Sequence, residues 1–392
     1  MMKNTTLTWG ITLLLALVLL GSCQPESKET SSVAPLIDQV KESYAPDKRV
    51  AIFDIAFEND SLKGQTNLPQ ALEELTKKLD SAGVSFTNQV DLLPDKALAG
   101  KTHGVVTISV ANIRSAPKHS AELATQATMG TPVNVLKKDG SWYLVQTPDN
   151  YISWVDAAGI ELMDQSAYDQ WEGSPKLVFT GLLGYVYESE DESMMVTDLT
   201  AGNLLKLVAE NKSHYQVALP DGRQGFLQKD MAMPFEEWIT TRSLSDHNLI
   251  STAKNMMGVP YLWGGTSIKG VDCSGFTKTI YFLNGQVIPR DASQQVHEGE
   301  LVDTEKNWDK LEVGDLLFFG RKATEDRPER IVHVGMWIGN NSFIHSRGRV
   351  RISSFDPNSP NYDEYELGRY LRTKRIRQIP SEHVIEVAKV MN

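Results

Sequence analysis

The chain has 392 residues, with 39 Lys and Arg against 50 Asp and Glu, for a formal charge of −11. No basic stripe interrupts that acidic balance, which argues against a nucleic-acid partner. At about 100–200 residues per domain the length implies two or more domains.

Residues 1–23 read as a secretory leader. Lys3 supplies a minimal positive start, and Leu7 to Leu20 is almost entirely apolar, yet short against the roughly 20 residues a bilayer span needs. The segment ends Leu20-Gly21-Ser22-Cys23, which resembles a bacterial lipobox; the alternative is an ordinary signal peptide with a chance cysteine. In the lipobox reading Cys23 is lipidated and becomes the new N-terminus, and loss of Lys3 takes the charge to −12. Gln24 follows the cysteine, which resembles outer-membrane sorting and leaves the periplasmic and surface faces open. Residues 24–34, rich in Ser, Glu, Thr and Pro, read as a flexible tether. No second membrane-spanning segment is evident in the sequence, and a monomer is the default expectation.

Residues 35–103 form a small mixed α/β region. Residues 49–57 (RVAIFDIAF) are strand-like, residues 69–79 helical with Leu72, Leu75 and Leu79 on one face, and residues 84–90 a candidate second strand. No chemistry is visible there. An internal repeat then spans residues 104–233. Val133 and Leu205, Tyr143 and Tyr215, Val145 and Val217, Trp154 and Phe226 are all 72 residues apart. Each copy shows short alternating runs with turns between them, the pattern of a small β-barrel. The first copy, residues 104–165, opens with NIRSAP at Asn112 and resembles a bacterial SH3-like domain; the second, residues 175–233, lacks that opening. The aromatics of both are core residues by default. The functional alternative is a barrel loop that builds part of a pocket.

Residues 240–392 carry the candidate chemistry. A helix is expected over residues 246–257, with Leu249, Ile250, Ala253 and Met257 inward and Gly258 and Pro260 ending it. The aromatic and glycine-rich turn YLWGG follows at Tyr261. Next comes VDCSGFTKTIYFLNG, in which Asp272 is a good N-cap, Phe276, Ile280 and Leu283 share one face, and Asn284-Gly285 closes the helix. Cys273 is then a first-turn residue. It is either a small buried packing residue or a reactive thiol whose pKa the helix N-terminus helps to lower from about 8.5. Residues 315–320 (DLLFFG) read as a strand, and residues 333–339 and 342–348 as a hairpin. His333 and His345 share a face only if the connection contains an odd number of residues, which a three-residue turn Gly339-Asn340-Asn341 supplies. His345 then lies opposite Gly335 and diagonal to His333, about 7–8 Å away along the backbone. Each histidine alone reads as an ordinary pocket or surface residue. With Cys273 at a helix start the two complete a papain-like thiolate–imidazolium arrangement.

The motifs YLWGG, DCSGF, GDLLFF, HVGMWIG and FIHS, in this order, resemble the NlpC/P60 cell-wall cysteine peptidases. The resemblance implies an α+β chain: a papain-like catalytic domain preceded by two small SH3-like β-barrels and a mixed N-terminal region. It implies Cys273 as nucleophile, His333 as general base and acid, and His345 as its orienting partner. The tandem SH3-like domains, with PRDASQQ at Pro289, further resemble the γ-D-glutamyl-L-diamino acid endopeptidases (dipeptidyl-peptidase VI type) that recycle wall fragments. There the first SH3-like domain walls off the cleft and leaves room only for a free N-terminal L-Ala. By that resemblance Asp291 meets the L-Ala ammonium, and Trp263, Asp272 and Ser274 line the same subsite. Glu122 and Tyr151 join from the first barrel, and the Tyr261 hydroxyl joins the Cys273 N–H as oxyanion donor. Some relatives carry serine where this chain has Ala292, which removes one polar contact. No cofactor is implied, and no zinc-type ligand spacing is seen at the site. The partner implied is a murein tripeptide or longer wall peptide. The alternatives are a hydrolase of intact stem peptides, a non-catalytic wall-binding lipoprotein, and, more remotely, an acyltransferase.

Overall fold

The computed structural model describes residues 28–377, 379 and 381–391; the leader with Cys23 lies outside them. Residues 28–34, expected within a flexible tether, instead begin a helix, Lys28–Tyr44. Val33, Ile37 and Val40 recur at helical spacing on its buried face, against a second helix, Pro69–Ser81, and a three-stranded sheet. Composition suggested a tether because the segment is polar on average; a single apolar stripe suffices to dock it. The outer strands are Phe53–Glu58 and Thr87–Leu92, each shifted a few residues from expectation. Between them runs an unexpected strand, Ser61–Thr66, antiparallel to the first and parallel to the other. Leu62 is its only large apolar side chain, so alternation could not betray it.

Two seven-stranded antiparallel sheets follow. The 72-residue repeat is carried into their backbones. Strands Pro132–Asp139, Trp142–Gln146 and Ile152–Asp156 correspond to Leu204–Glu210, His214–Ala218 and Gln224–Gln228. Even the irregularity repeats: the ladder shifts between Val135 and Lys137 in one copy and between Leu207 and Ala209 in the other. Such a bulge increases local twist and helps short strands curl around a small core. Val133, Tyr143 and Val145 fill the first core, and Leu205, Tyr215 and Val217 the second. The two units meet where Asn203 Nδ2 donates to the Ser109 carbonyl at 2.9 Å.

The C-terminal unit is built on a six-stranded antiparallel sheet. Its order is Glu300–Asp303, Tyr370–Arg375, Leu316–Arg321, Arg330–Gly339, Ser342–Arg347, Arg349–Ser354. One face packs on the helix Cys273–Phe282 through Phe276, Ile280, Leu316, Phe318, Val334, Met336 and Ile344. The other carries Leu317, Phe319, Trp337, Phe343, Phe355 and Tyr370. Burial on both faces explains why residues 316–319 are apolar without alternation. The preceding helix is Asp246–Asn255, capped by Ser245. Met257, expected inward, is exposed, and Met256 is buried instead, because the helix stops at Asn255 and the chain turns through Gly258 at φ +84°.

The histidine hairpin reaches the expected facing by another route. Gly339 pairs with Ser342, so the turn is the two residues Asn340-Asn341, with φ of +52° and +53°. The ladder shifts between Trp337 and Gly339, and Ile338 is the extra residue. Two turn residues and one bulge residue restore the odd count. Continuing the register sets His345 opposite Gly335, where a Cβ would lie 3.1 Å from that of His345. Glycine leaves the room that the imidazole occupies.

Candidate active site

Asp272 caps the Cys273 helix by accepting from Gly275 N at 2.7 Å, and its other oxygen accepts from Gly264 N at 2.9 Å. Gly275 has to be glycine: a Cβ there would sit 1.9 Å from the Gly265 carbonyl oxygen, so the helix start and the YLWGG turn touch backbone to backbone. Arg290, almost wholly buried, grips the same carboxylate at 3.1 and 2.6 Å and also reaches Ser274 Oγ and Thr125 Oγ1. Asp272 therefore lines the cleft with its carboxylate already engaged in holding the site together.

Cys273 is buried, close to the backbone N–H of Val334, the residue after His333. The expectation of a lowered thiol pKa is overturned. Burial, aided by the Asp272 charge, pushes the thiol up to about 12, against the weaker opposing effect of the Val334 and Ser274 N–H groups. Burial, then His345 and the nearby arginines, holds His333 well below the usual imidazole range. Burial, followed by Arg351, Arg347 and Arg369, takes His345 down to about 3. Burial thus favours the neutral forms of both groups in the free protein, the thiol and the imidazole.

Behind His333 runs a directed chain. His333 Nε2 meets His345 Nδ1 at 2.7 Å, His345 Nε2 meets Ser353 Oγ at 3.0 Å, and Ser353 Oγ donates to Asp363 Oδ2 at 3.0 Å. An ionised carboxylate only accepts, so Ser353 must donate to it and accept from His345 Nε2–H. His345 Nδ1 then accepts from His333 Nε2–H, which leaves His333 Nδ1 free to take a proton. Arg351 Nε lies 3.4 Å from His345 Nε2, a long approach, while its Nη2 holds Asp363 at 3.0 Å. Ser353 and Asp363 were missed in the sequence, because neither lies in a motif and Ser353 reaches His345 only through strand register.

His333, His345 and Glu366 bring ligand atoms within 4.8 Å of one another. Glu366 Oε2 already accepts from Arg369 at 2.8 Å, and the imidazoles are bonded to each other. The cluster is filled by its own members rather than open to a metal.

Cys273, Tyr261, Trp263, Asp272, Ser274, Asp291, Ala292, Glu122 and Tyr151 all line one cavity of about 480 Å³. His333 lines an adjoining cavity of about 230 Å³, and Tyr261 and Val332 belong to both. Burial, with the nearby sulfur and Asp272 adding to it, raises the Tyr261 phenol above its usual range, so it remains a donor. The first barrel closes the larger cavity. Trp263 Nε1 donates to Glu122 at 2.6 Å, and Tyr151 OH donates to Asp291 Oδ2 at 3.3 Å.

Residues 258–368 match the NlpC/P60 family, and residues 109–161 match the bacterial SH3 domain. A Bacillus cereus protein named γ-D-glutamyl-L-lysine dipeptidyl-peptidase is 33% identical over 64% of this chain and 76% of its own. The chain belongs to the NlpC/P60 family. A relative from Lysinibacillus sphaericus, named dipeptidyl-peptidase 6, is 27% identical over 66% of this chain and 94% of its own. The crystal structure of an NlpC/P60 family protein from Bacillus cereus superposes with a TM-score of 0.58 at 28% identity, over 71% of this chain and all of that one.

As an NlpC/P60 member the chain is a cysteine peptidase. Sequence reasoning passed over three cationic groups at the cleft: Arg290 and Arg330 line it, and Arg49 pairs with Asp291. Arg290 sits inside the PRDASQQ run, so a buried partner for Asp272 was there to be suspected. Arg49 lies 242 residues from Asp291, which it touches, and no local pattern points to it.

Proposed function

We propose that the protein hydrolyses the γ-D-glutamyl–L-diamino acid amide bond of cell-wall peptides that carry a free N-terminal L-Ala, acting on released fragments in murein recycling. The observation that carries this reading is the closed end of the cleft. There Glu122 and Tyr151 of the first barrel line the same cavity as Asp291 and Cys273. The name of the Bacillus cereus relative supports the bond type. A carboxylate-lined dead end suits an ammonium. A blocked terminus would bring no positive charge to these carboxylates, whose partners within the protein are Trp263, Tyr151 and Arg49.

In the proposed reaction His333 Nδ1 takes the thiol proton as sulfur attacks the γ-carbonyl carbon of D-Glu. The Cys273 N–H and the Tyr261 hydroxyl hold the oxyanion. His333 then gives its proton to the departing diamino acid amine as the C–N bond breaks, leaving a thioester. Water, deprotonated by His333, adds to the thioester, and the C–S bond breaks with return of the proton to sulfur. His345, Ser353 and Asp363 hold the tautomer that this sequence requires. We further place the mature protein on a lipid anchor at Cys23 in the cell envelope, at the outer membrane; loss of lipid labelling in Cys23→Ala would support it, and unchanged labelling would remove it.

The test is mass spectrometry of L-Ala-γ-D-Glu-diamino acid tripeptide and its N-acetylated form after incubation with wild type and Cys273→Ala. Release of L-Ala-γ-D-Glu by wild type alone, with the acetylated peptide spared, is the expected result. Equal cleavage of both peptides would instead support a hydrolase of intact stem peptides. Cleavage of neither would reject the bond assignment.

A further inference from the structure

The N-terminal α/β unit takes no part in the chemistry above, yet one of its side chains reaches Asp291, which lines the cleft. Arg49 is locked to the first barrel by its carbonyl, which accepts from Ile152 N at 2.7 Å, next to Tyr151. Asp47 holds the back of its guanidinium, with Nε to Oδ1 at 2.8 Å and Nη2 to Oδ2 at 2.7 Å, and Gln294 Nε2 steadies Asp47 at 2.8 Å. From the front, Nη1 donates to Asp291 Oδ2 at 2.7 Å and to Ser293 Oγ at 2.8 Å. The Tyr151 hydroxyl approaches the same Oδ2. Both donors converge on one oxygen of Asp291, so neither engages Oδ1, and the Asp291 side chain lines the cavity.

We infer that Arg49 is a specificity-determining positioning residue: it pins Asp291 so that the remaining oxygen meets the substrate ammonium. The inference rests on the free-amine reading above and adds the N-terminal unit to that subsite. An arginine placed beside an amine site would ordinarily repel the amine. Here Asp47 cancels its charge, so the Asp47–Arg49–Asp291 cluster holds two negative charges against one positive and stays attractive to a cation. The paired fork to Asp47 also fixes the guanidinium in place, so it acts as a strut rather than as a plug that substrate must displace.

The test compares kcat and KM for the free and N-acetylated tripeptides in the full chain, with wild type, Arg49→Ala, Arg49→Lys, Asp47→Asn and Asp291→Ala. Losing a charge-assisted bond that orients the carboxylate should raise KM for the free tripeptide about tenfold in Arg49→Ala, with kcat within about twofold. Arg49→Lys restores the charge without the fork and should recover part of the loss. Asp47→Asn takes the Asp47–Arg49–Asp291 cluster from a net negative charge to neutrality and should lower the preference for the free amine. Thermal melts matched to wild type separate these effects from unfolding; if Arg49→Ala does not fold, the intermediate KM of Arg49→Lys carries the test. A fall in KM in Arg49→Ala would overturn the inference, since Arg49 would then be a competing cation. A rise in Asp291→Ala but not in Arg49→Ala would overturn it while leaving the free-amine reading intact. Absence of any free-amine preference in wild type would reject both.

Discussion

The two SH3-like domains share strands, bulge and core, yet only the first touches the chemistry. Positions 72 residues apart show why. Glu122 meets Trp263 at the cleft, whereas Met194 is 61% exposed. Tyr151 reaches Asp291, whereas Arg223 pairs with its own neighbour Asp221 at 2.8 Å. Asp149 is buried against Lys278 of the Cys273 helix, whereas Asp221 faces solvent with Arg223. Barrel core residues are interchangeable between the copies because they answer only to the fold. Loop residues differ because the first copy lines the cleft beside Cys273, whereas the second packs Val178 and Leu204 on Phe282 at the other end of that helix.

Breaking the ion pair beneath the first domain should have the largest effect. Asp149→Asn strands the Lys278 ammonium in a buried interface and should cost about 3–5 kcal/mol, against under about 1 kcal/mol for Asp221→Asn in the second domain. Chemical denaturation of both variants checks this, and equal losses would mean that the two domains dock alike. Next comes the cleft. Glu122→Ala should raise KM for the free tripeptide roughly tenfold through loss of a charged partner, whereas Met194→Ala should leave the kinetics at wild-type values. Smaller still, Tyr151→Phe removes one long hydrogen bond and should raise the same KM about two- to fivefold; steady-state kinetics read it directly.

The shallowest effect is one that neither barrel should show. Among the described residues the buried histidines are His333 and His345, both in the catalytic domain. Their folded pKa values lie below the unfolded value near 6.5, so the unfolded chain binds more protons in acid. The stability they contribute is complete above pH 6.5 and falls as pH drops from there towards about 3. Melting temperature should therefore fall with pH across that window, with a gentler slope in His345→Asn. An unchanged slope would assign the acid sensitivity to other groups.

The Cys273 helix, its cap, the buried DLLFF strand and the facing of the two histidines were legible from the sequence, because each follows from local periodicity, capping or parity. The 72-residue repeat was legible too, since a barrel core repeats its apolar positions. Parity held even though the turn was shorter than expected, because a bulge at Ile338 supplied the missing residue. The upward shift of the Cys273 thiol was not legible: the helix N-terminus that favours a thiolate is local, whereas the burial that opposes it comes from the sheet and the cleft. Nor were Ser353 and Asp363, Arg290 against Asp272, or Arg49 against Asp291. Local physics reads within a helix turn or a strand pair. Which charges face each other across four packed units is decided by how those units dock, and that is a property of the tertiary structure alone.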